Sequence, residues 1–365
     1  MPSLKKIVVQ NFRNIQLQEL EFSPNVNCIS GNNGEGKTNL LDAIYYLSMT
    51  KSAFNTSDKY NFRYGQDTFS LSGLYDMPGG IVSRFSIKVD AGGEKVLRRD
   101  DKPYPKISDH IGELPVVMVS PQDISLVSES GDERRRFVNS VLSQMDREYL
   151  SALQQYNRLL LQRNRLLKDG TASEDLLEAF DSRMSALARP VFERRRRFVQ
   201  DLAGVVKDYY SFISEGREQV GIEYRSDLLD GSLEDILRGR RERDRIMRFT
   251  TAGIQRDDFF FSLDGYPIRK CGSQGQQKSF LVALKFAQYE VMKHKYGFTP
   301  ILLLDDLFDK LDMGRIANLL KMVAGQDFGQ IFLSDSNKVR MSGIVDEITR
   351  DRAYFEAEGG SFKVL

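Results

Sequence analysis

A glycine-rich loop between a predicted strand and a predicted helix constrains this chain more than any other feature. Residues 31–38 read Gly-Asn-Asn-Gly-Glu-Gly-Lys-Thr and match the phosphate-binding pattern G-x-x-x-x-G-K-[ST] in full. The apolar run at residues 26–29 predicts a buried strand, and apolar residues at helical spacing follow the loop as far as Leu47. Because both flanking elements are those that the motif requires, we interpret residues 31–38 as a P-loop.

The chemistry of this loop suits a polyphosphate. Its three glycines allow backbone N–H groups to turn toward phosphate oxygens, and the start of the following helix favours negative charge. Lys37 is predicted to reach the β- and γ-phosphates, and the Thr38 hydroxyl is predicted to bind Mg²⁺. The loop therefore predicts a nucleotide site with a magnesium ion.

The composition excludes several classes of protein. A length of 365 residues allows roughly two or three domains, and a formal net charge of +1 means that any nucleic-acid surface must be a local patch. Cys28 and Cys271 are the only cysteines and form no C-x-x-C pair, which excludes a disulfide scaffold or a structural zinc site. The N-terminus lacks the apolar region of a signal peptide, and no apolar run reaches the length of a membrane span. We therefore expect a cytoplasmic chain with no membrane partner.

Alternating apolar residues near the N-terminus predict a sheet. Residues 4–22 are predicted to form an antiparallel hairpin that flanks the P-loop strand. Further strands are predicted at residues 68–75, 81–89 and 116–119, with a glycine turn between the first two of these. We expect one mixed sheet, antiparallel on one side and of P-loop type on the other.

After residue 123 the pattern changes to long helices. Residues 133–168 and 176–209 carry apolar side chains every three or four positions, with a short turn between them and Pro190 as an expected kink. Joined in this way, they predict an antiparallel helical arm roughly 50 Å long, at 1.5 Å per residue. The apolar stripe is broad enough to suit two helices packed onto a globular core as well.

Arginines are concentrated in this helical region. Guanidinium groups match phosphate oxygens with two hydrogen bonds, so such clusters are candidates for contact with a DNA backbone. Acidic residues are interspersed among them, and a solvated, salt-bridged helix face explains the same pattern. The clusters lie at residues 134–136, at Arg163 and Arg165, at residues 194–197, and at residues 238–248.

The last third of the chain supplies two further motifs. Residues 301–304 form an apolar run that ends in Asp305 and Asp306, as the Walker B strand of a P-loop ATPase does. Residues 273–278, Ser-Gln-Gly-Gln-Gln-Lys, open a predicted helix at residues 280–293 and form a second candidate anion site. Strands are also predicted at residues 259–263 and 330–333.

The order of these motifs resembles the ATP-binding-cassette heads of the SMC group and, within that group, the RecF family of bacterial DNA replication and repair proteins. A P-loop, a long helical insert and a Ser-x-Gly-Gln loop are followed by a Walker B strand and a D-loop-like segment that ends in Asp312. The similarity runs nearly from end to end. Its blocks are residues 11–14 (Asn-Phe-Arg-Asn), 31–41, 120–123 (Ser-Pro-Gln-Asp), 256–258 (Arg-Asp-Asp), 273–278 and 304–308.

The resemblance implies an α/β fold, with an ABC-type P-loop ATPase head and an inserted helical arm domain. Residues 1–125 and 256–365 would form the head, and residues 126–255 would form the arm. The implied activity is a weak, DNA-stimulated ATPase that dimerises on ATP, with the Ser273 loop of one copy completing the site of the other. The implied partners are double-stranded DNA, single-strand/double-strand junctions, a RecR-like protein and a second copy of this chain.

The resemblance also assigns roles to individual residues. It implies catalytic roles for Asp306, Gln122 and Lys37, with Asp306 orienting the attacking water. Asp305 would hold Mg²⁺ with Thr38, and Gln122 would sense the metal ion and the water. The implied ATP-binding residues are Gly31, Asn32, Asn33, Gly34, Glu35, Gly36, Lys37, Thr38, Asn39, Ser273, Gly275 and Gln276.

Two positions depart from the family pattern, and two other function classes stay open. The family usually has glutamate in place of Gln122, and Gly-Pro-His in place of residues 253–255. The sensing role of Gln122 and a histidine contact before residue 256 are therefore open.

The long insert and the lack of a switch histidine at residues 334–336 argue against the nucleotide-binding subunit of a transporter. A P-loop kinase of a small metabolite would need neither a Ser-x-Gly-Gln loop nor a dimer.

Overall fold

The chain folds into two compact units in its computed structural model, which describes residues 1–129, 131–306, 329–337, 343, 345 and 349–365. The head unit comprises Met1–Asp123, Phe212–Ser214 and Lys285–Leu365. The arm unit comprises Ile124–Ser211 and Glu215–Leu284. The arm unit is thus inserted into the sequence of the head unit.

The strands and helices of the described residues are numbered here in chain order. The strands are β1 (Ser3–Phe12), β2 (Ile15–Glu21), β3 (Val26–Ser30), β4 (Thr68–Met77), β5 (Ile81–Asp90), β6 (Lys95–Arg99), β7 (Lys102–Pro103), β8 (Val116–Val119), β9 (Val220–Arg225), β10 (Asp258–Leu263), β11 (Tyr266–Pro267), β12 (Ile301–Leu304), β13 (Ile331–Asp335), β14 (Arg352–Glu358) and β15 (Ser361–Val364). The helices are α1 (Lys37–Met49), α2 (Ser125–Ser128), α3 (Gly131–Met145), α4 (Arg147–Asp169), α5 (Glu174–Ser214), α6 (Leu233–Gly239), α7 (Arg241–Met247), α8 (Ile268–Cys271) and α9 (Gln274–Tyr296).

One sheet of the head unit is antiparallel, with the strand order β2-β1-β4-β5-β6-β7. The predicted hairpin at residues 4–22 is present as β1 and β2. The prediction that it flanks the P-loop strand is wrong, because β3 belongs to a different sheet. The burial patterns distinguish the two sheets. Strands β4 and β5, which belong to the same sheet as the hairpin, alternate between buried and more exposed residues, as in a sheet with one solvated face, whereas β3 is buried at every position.

The second sheet of the head unit has the order β15-β14-β3-β13-β12-β8. Its strands pair in parallel except for β15, which is antiparallel to β14. Strands β3, β8, β12 and β13 are buried throughout, as is usual for a parallel sheet covered on both faces. The head unit therefore contains two sheets in place of the single mixed sheet that we expected.

Helix α1 contacts strands of both sheets, including β1, β4 and β5 of the antiparallel sheet and β8 and β13 of the parallel one. Its side chains are buried around most of its circumference, from Leu40 and Leu41 to Tyr46 and Leu47. A helix that is buried on most of its sides lies in the interior of a protein. The helix that follows the P-loop is therefore the centre of the core of the head unit.

The arm unit contains the predicted helices and the small sheet β11-β10-β9. The region predicted as one helix at residues 133–168 is two helices, α3 and α4, separated at Asp146. The Asp146 carboxylate accepts a hydrogen bond from the Tyr149 N–H at 2.9 Å and so caps α4. Helix α5 runs without interruption through Pro190.

Helices α4 and α5 are antiparallel, as predicted. Near the start of α4, the Tyr149 hydroxyl accepts from Arg195 at 3.1 Å, and near its end Arg163 donates to Asp181 at 3.0 Å. The partners thus run in opposite directions along the two helices. The same unit packs α3 against β10 and α4 against α7, so the helical pair is also part of a globular core.

Several of the clustered arginines are bound inside the arm unit. Arg163 is 0% exposed and pairs with Asp181 at 3.0 Å and with Asp244 at 2.7 Å. Arg195 is 1% exposed and pairs with Asp257 at 2.5 Å. These arginines are salt-bridged, as in the second interpretation, but they lie in the interior and not on a solvated helix face. A buried guanidinium needs such a carboxylate partner.

The compact units and the predicted domains divide the chain differently, and the largest difference lies at the end of the arm. The break after Asp123 lies close to the predicted one after residue 125. Residues 256–284, assigned to the head from the sequence, group with the arm unit, where β10 pairs with β9 and α8 contacts β10. Among the described residues, no helix combines the length and the apolar character needed to cross a membrane.

Candidate nucleotide site

The P-loop follows β3, and its glycines occupy conformations that other residues rarely adopt. Gly31 has a φ of 149°, and a Cβ atom there would lie 2.6 Å from the carbonyl oxygen of Ala357. Gly36 has a φ of 107°, and its Cβ atom would lie 2.9 Å from the side chain of Asn14. Both positions therefore require glycine.

Lys37 begins helix α1 and is 4% exposed. Its Nζ donates to the carbonyl oxygens of Gly31 at 2.8 Å and Asn32 at 3.0 Å, so the ammonium group lies across the loop. Gly36 is the N-cap of α1, and no side chain of the described residues caps this helix. The N–H groups of its first turn suit an anionic ligand.

Thr38 and Asp305 are brought together, although 267 positions separate them in the sequence. The Thr38 hydroxyl lies 3.0 and 2.9 Å from the two carboxylate oxygens of Asp305. Burial raises the pKa of Asp305, and hydrogen bonds from Ser334 and Thr38 oppose that shift. A hydroxyl beside a carboxylate supplies the hard oxygen ligands that Mg²⁺ prefers.

Ser334 connects the two acids of the Walker B strand. Its hydroxyl donates to Asp305 at 2.6 Å and accepts from the backbone N–H of Asp306 at 3.0 Å. Asp306 has a φ of 41°, in the left-handed region that aspartate tolerates better than most residues. From the sequence, Ser334 is only the residue that follows the predicted strand at residues 330–333. Its role becomes visible only in the structure, where this serine is buried near the end of the strand that lies beside the Walker B strand.

Residues of the 11–14 block form hydrogen bonds to the first residues of α1, directly after the P-loop. Arg13 donates to Asn39 at 2.9 Å and forms a 2.5 Å salt bridge with the buried Asp42. Asn39 also donates to Asn14 at 2.7 Å. Asn39 is therefore placed by residues of the 11–14 block, which the sequence identified by resemblance alone.

Gln122 lies at the same edge of the parallel sheet as Asp305. It follows β8, whose Val119 is paired with Leu304. The side chain is exposed, and among the described residues no hydrogen bond joins it to Thr38 or Asp305. No group of three or more His, Cys, Asp or Glu residues in the described part of the chain forms a metal cage. A metal or sensing role for Gln122 thus stays a prediction.

The Ser-x-Gly-Gln loop forms the start of α9 in the arm unit. The Ser273 hydroxyl accepts from the Gln276 N–H at 3.2 Å, and the Gln276 side chain accepts from the Ser273 N–H at 2.6 Å. This reciprocal pair is a capping box, which explains the spacing of the serine and the glutamine. Gly275 lies between them, in the first turn of α9. The D-loop-like segment with Asp312 is outside the described residues.

Sequence comparison relates this chain to proteins of known class. The family model described as an AAA domain matches residues 6–198. The chain is 43% identical over 358 residues to the DNA replication and repair protein RecF of Bacteroides thetaiotaomicron, covering 98% of this chain and 97% of that protein. It is 44% identical over 362 residues to the protein of the same name from Parabacteroides distasonis, covering 99% of each.

Comparison of structures gives the same relation. The recombination mediator protein RecF-ATP in the RecFOR pathway superposes with a TM-score of 0.90 and 29% identity, covering 100% of this chain and 98% of that one. The Smc head domain with an extended coiled coil derived from Pyrococcus furiosus superposes with a TM-score of 0.59 and 14% identity, covering 100% and 96%. The second likeness concerns the fold alone. The predicted α/β class, with an ABC-type head and an inserted helical arm, is confirmed.

Proposed function

Because the chain belongs to the RecF family of DNA replication and repair proteins, we propose that it is an ATP-dependent DNA-binding protein of recombinational repair. Two copies close on two ATP molecules and bind duplex DNA near single-strand gaps. Together with a RecR-like partner, the dimer helps to load recombinase. Weak, DNA-stimulated ATP hydrolysis acts as the switch, and the chain works in the cytoplasm, where bacterial DNA lies.

The observation that carries this proposal is the contact between Thr38 and Asp305. It places a hydroxyl 2.9 Å from a carboxylate, directly after the lysine of the P-loop. Residues 31–37 would hold the phosphates of ATP, while Thr38 and Asp305 would hold Mg²⁺, which neutralises charge on the phosphates when bound. The donor set fits that ion, since Mg²⁺ in such sites takes one or two protein oxygens and several from phosphate and water.

The remaining site residues have distinct proposed roles. Asp306 orients the attacking water, and Ser334 holds the backbone of Asp306 beside Asp305. Gln122 senses the metal ion and the water from the end of β8. Ser273, Gly275 and Gln276 complete the site of the partner copy, so that hydrolysis depends on assembly.

The proposed DNA contact uses arginines whose charge no described carboxylate of the arm unit neutralises. Arg196 and Arg197 are exposed, and neither forms a salt bridge with a described residue. A dimer would present these arginines from two copies of the chain to one DNA molecule, so that individually weak contacts would contribute to a single binding event. DNA affinity should therefore rise with ATP-dependent dimerisation.

The test is sedimentation and DNA binding of one sample with ATP, with ADP and without nucleotide. We expect a dimer and tight duplex binding with ATP only. Ser273→Arg should still bind ATP as a monomer but should not dimerise, because a bulky cation blocks closure of the partner's site. Asp306→Asn should bind ATP and accumulate the dimer, since only hydrolysis is impaired. Identical sedimentation and DNA affinity in all three nucleotide states would refute the proposal.

A further inference from the structure

Two exposed aromatic side chains lie four positions apart in one short loop of the head unit. Tyr64 is 100% exposed and Tyr60 is 71% exposed, the highest values among the exposed tyrosines and phenylalanines of the described residues. Lys59 and Arg63 alternate with them, and neither forms a salt bridge with a described residue. We call residues 58–66 the tyrosine loop.

The tyrosine loop is firmly anchored to the core. The Asp58 carboxylate accepts from the Tyr46 hydroxyl at 2.8 Å and pairs with Lys95 at 2.9 Å. Phe62 packs edge-on against Phe69, with ring centroids 5.3 Å apart. The acid of the loop is thus bound internally, while Lys59 and the two rings are exposed and Arg63 is half-buried on an anchored backbone. Such a surface loses little conformational entropy when it binds a ligand.

The same loop is connected to the nucleotide site. The Arg13 N–H donates to the carbonyl oxygen of Asn61 at 2.8 Å, and the Arg13 guanidinium donates to Asn39 at 2.9 Å. Asn39 directly follows Thr38 of the P-loop. A continuous set of hydrogen bonds therefore joins the base of the tyrosine loop to the start of α1.

We propose that the tyrosine loop binds unpaired nucleotides of DNA, with bases stacked on Tyr60 and Tyr64 and phosphates bound by Lys59 and Arg63. Aromatic rings interleaved with cations are the surface that binds single strands, because every base has a face that stacks. The bases of an intact duplex are already stacked on each other and do not offer that face. This inference rests on the proposed DNA-binding function and assigns the single-stranded part of the DNA to a surface.

The test compares two DNA probes in fluorescence anisotropy, with a non-hydrolysable ATP analogue present. One probe is a blunt duplex, and the other is the same duplex with a single-stranded tail. Combining Tyr60→Ala with Tyr64→Ala should weaken binding of the tailed probe by about 30-fold or more, since removing one stacking ring costs about 5- to 100-fold. Binding of the blunt probe and of ATP should stay within about twofold, since the loop anchors are untouched.

Matched variants show whether stacking is the cause. Tyr266→Ala removes a tyrosine that is 66% exposed on β11 of the arm unit, and it should leave both probes unchanged. Tyr60→Phe combined with Tyr64→Phe preserves the rings and should bind the tailed probe like the wild type. Equal affinity of the double alanine variant and the wild type for the tailed probe would overturn the inference and leave the proposed function standing. A wild-type protein that binds neither probe would overturn both.

Crosslinking tests the contact without any substitution. A tailed probe that carries 5-iodouracil in its single strand should crosslink within residues 58–66 of the wild-type protein, as mapped by mass spectrometry. Crosslinks found only outside this loop would overturn the inference, even if the alanine variants were misfolded.

Discussion

The nucleotide site of the head unit and the arginine network of the arm unit both bury cations, but they satisfy them differently. Lys37 donates to two backbone carbonyls, and no described carboxylate forms a salt bridge with it. Arg163 and Arg195 are paired with buried carboxylates. A cation without a carboxylate partner retains attraction for an anionic ligand, whereas a neutralised one contributes to structure. Burial of a positive charge is therefore no guide to function until its partners are known.

The largest expected effect comes from breaking a buried pair of the arm unit. Arg195→Ala should lower the free energy of unfolding by about 3–5 kcal/mol, because Asp257 would remain buried without its partner. Burial alone would lower the pKa of Arg195, but Tyr149 and Asp257 beside it raise that pKa overall, so its charge persists at every working pH. The measurement is thermal denaturation followed by circular dichroism. Arg196→Ala, one residue along and exposed, is the control and should change stability by less than about 0.5 kcal/mol.

His110, a buried base of the head unit, differs from Arg195 because burial leaves it in its neutral form. Burial lowers the pKa of His110 to about 4, and the Nε2–H group donates to the Leu47 carbonyl at 2.7 Å. The unfolded chain therefore binds one more proton than the folded chain between pH 6.5 and about 4. The His110 contribution to stability is complete above pH 6.5 and should fall by about 3 kcal/mol as the pH drops toward 4.

Urea unfolding across this pH range measures the effect. His110→Gln retains a donor for Leu47 but does not titrate, so its unfolding free energy should depend less steeply on pH. His294→Gln is the matched control, since the His294 side chain is 82% exposed. Equal pH dependence in the wild type and His110→Gln would show that His110 is not the titrating group.

Removing the cation of the nucleotide site should affect binding more than stability. Lys37→Ala should weaken ATP binding by about 10- to 100-fold, the effect of removing a charged hydrogen-bond donor to phosphate. Equilibrium binding of a fluorescent ATP analogue provides the measurement. Asp306→Asn is the comparison and should retain binding, so an equal decrease in the two variants would contradict the different roles proposed for them.

The smallest effect is expected at the exposed arginines of the arm unit. Arg196→Glu combined with Arg197→Glu should reduce the dependence of log affinity for duplex DNA on log salt concentration by about one unit for each phosphate group that is no longer neutralised. Fluorescence anisotropy across a salt series with ATP gives this slope. Unchanged slope and affinity would return both arginines to the role of a solvated helix face, and the DNA-binding surface would have to be sought elsewhere.

Family membership and fold were predictable because the motifs are local. The P-loop pattern specifies glycines where the backbone needs them, and Gly31 and Gly36 have left-handed φ values where the pattern places them. The predicted relation to RecF proteins is confirmed, and most strands lie close to their predicted positions. The pairing of Thr38 with Asp305 was expected from the resemblance, and it forms because the carboxyl ends of parallel strands meet at one edge of the sheet.

The P-loop and the Walker B acids could be recognised from the sequence, since each depends on residues that are close in the chain. Strands β6, β7, β9, β11, β14 and β15 and the break between α3 and α4 were not predicted. The packing of the folded chain places the first hairpin in a separate sheet and brings Ser334 into contact with Asp305 and Asp306, and neither could be predicted from neighbouring residues. The structure also distinguishes structural arginines from exposed ones. The sequence could not do so, because partners such as Arg195 and Asp257 are 62 positions apart. In the sequence, a buried arginine and an exposed arginine look the same. The packing of helices and strands determines which guanidinium group meets a carboxylate.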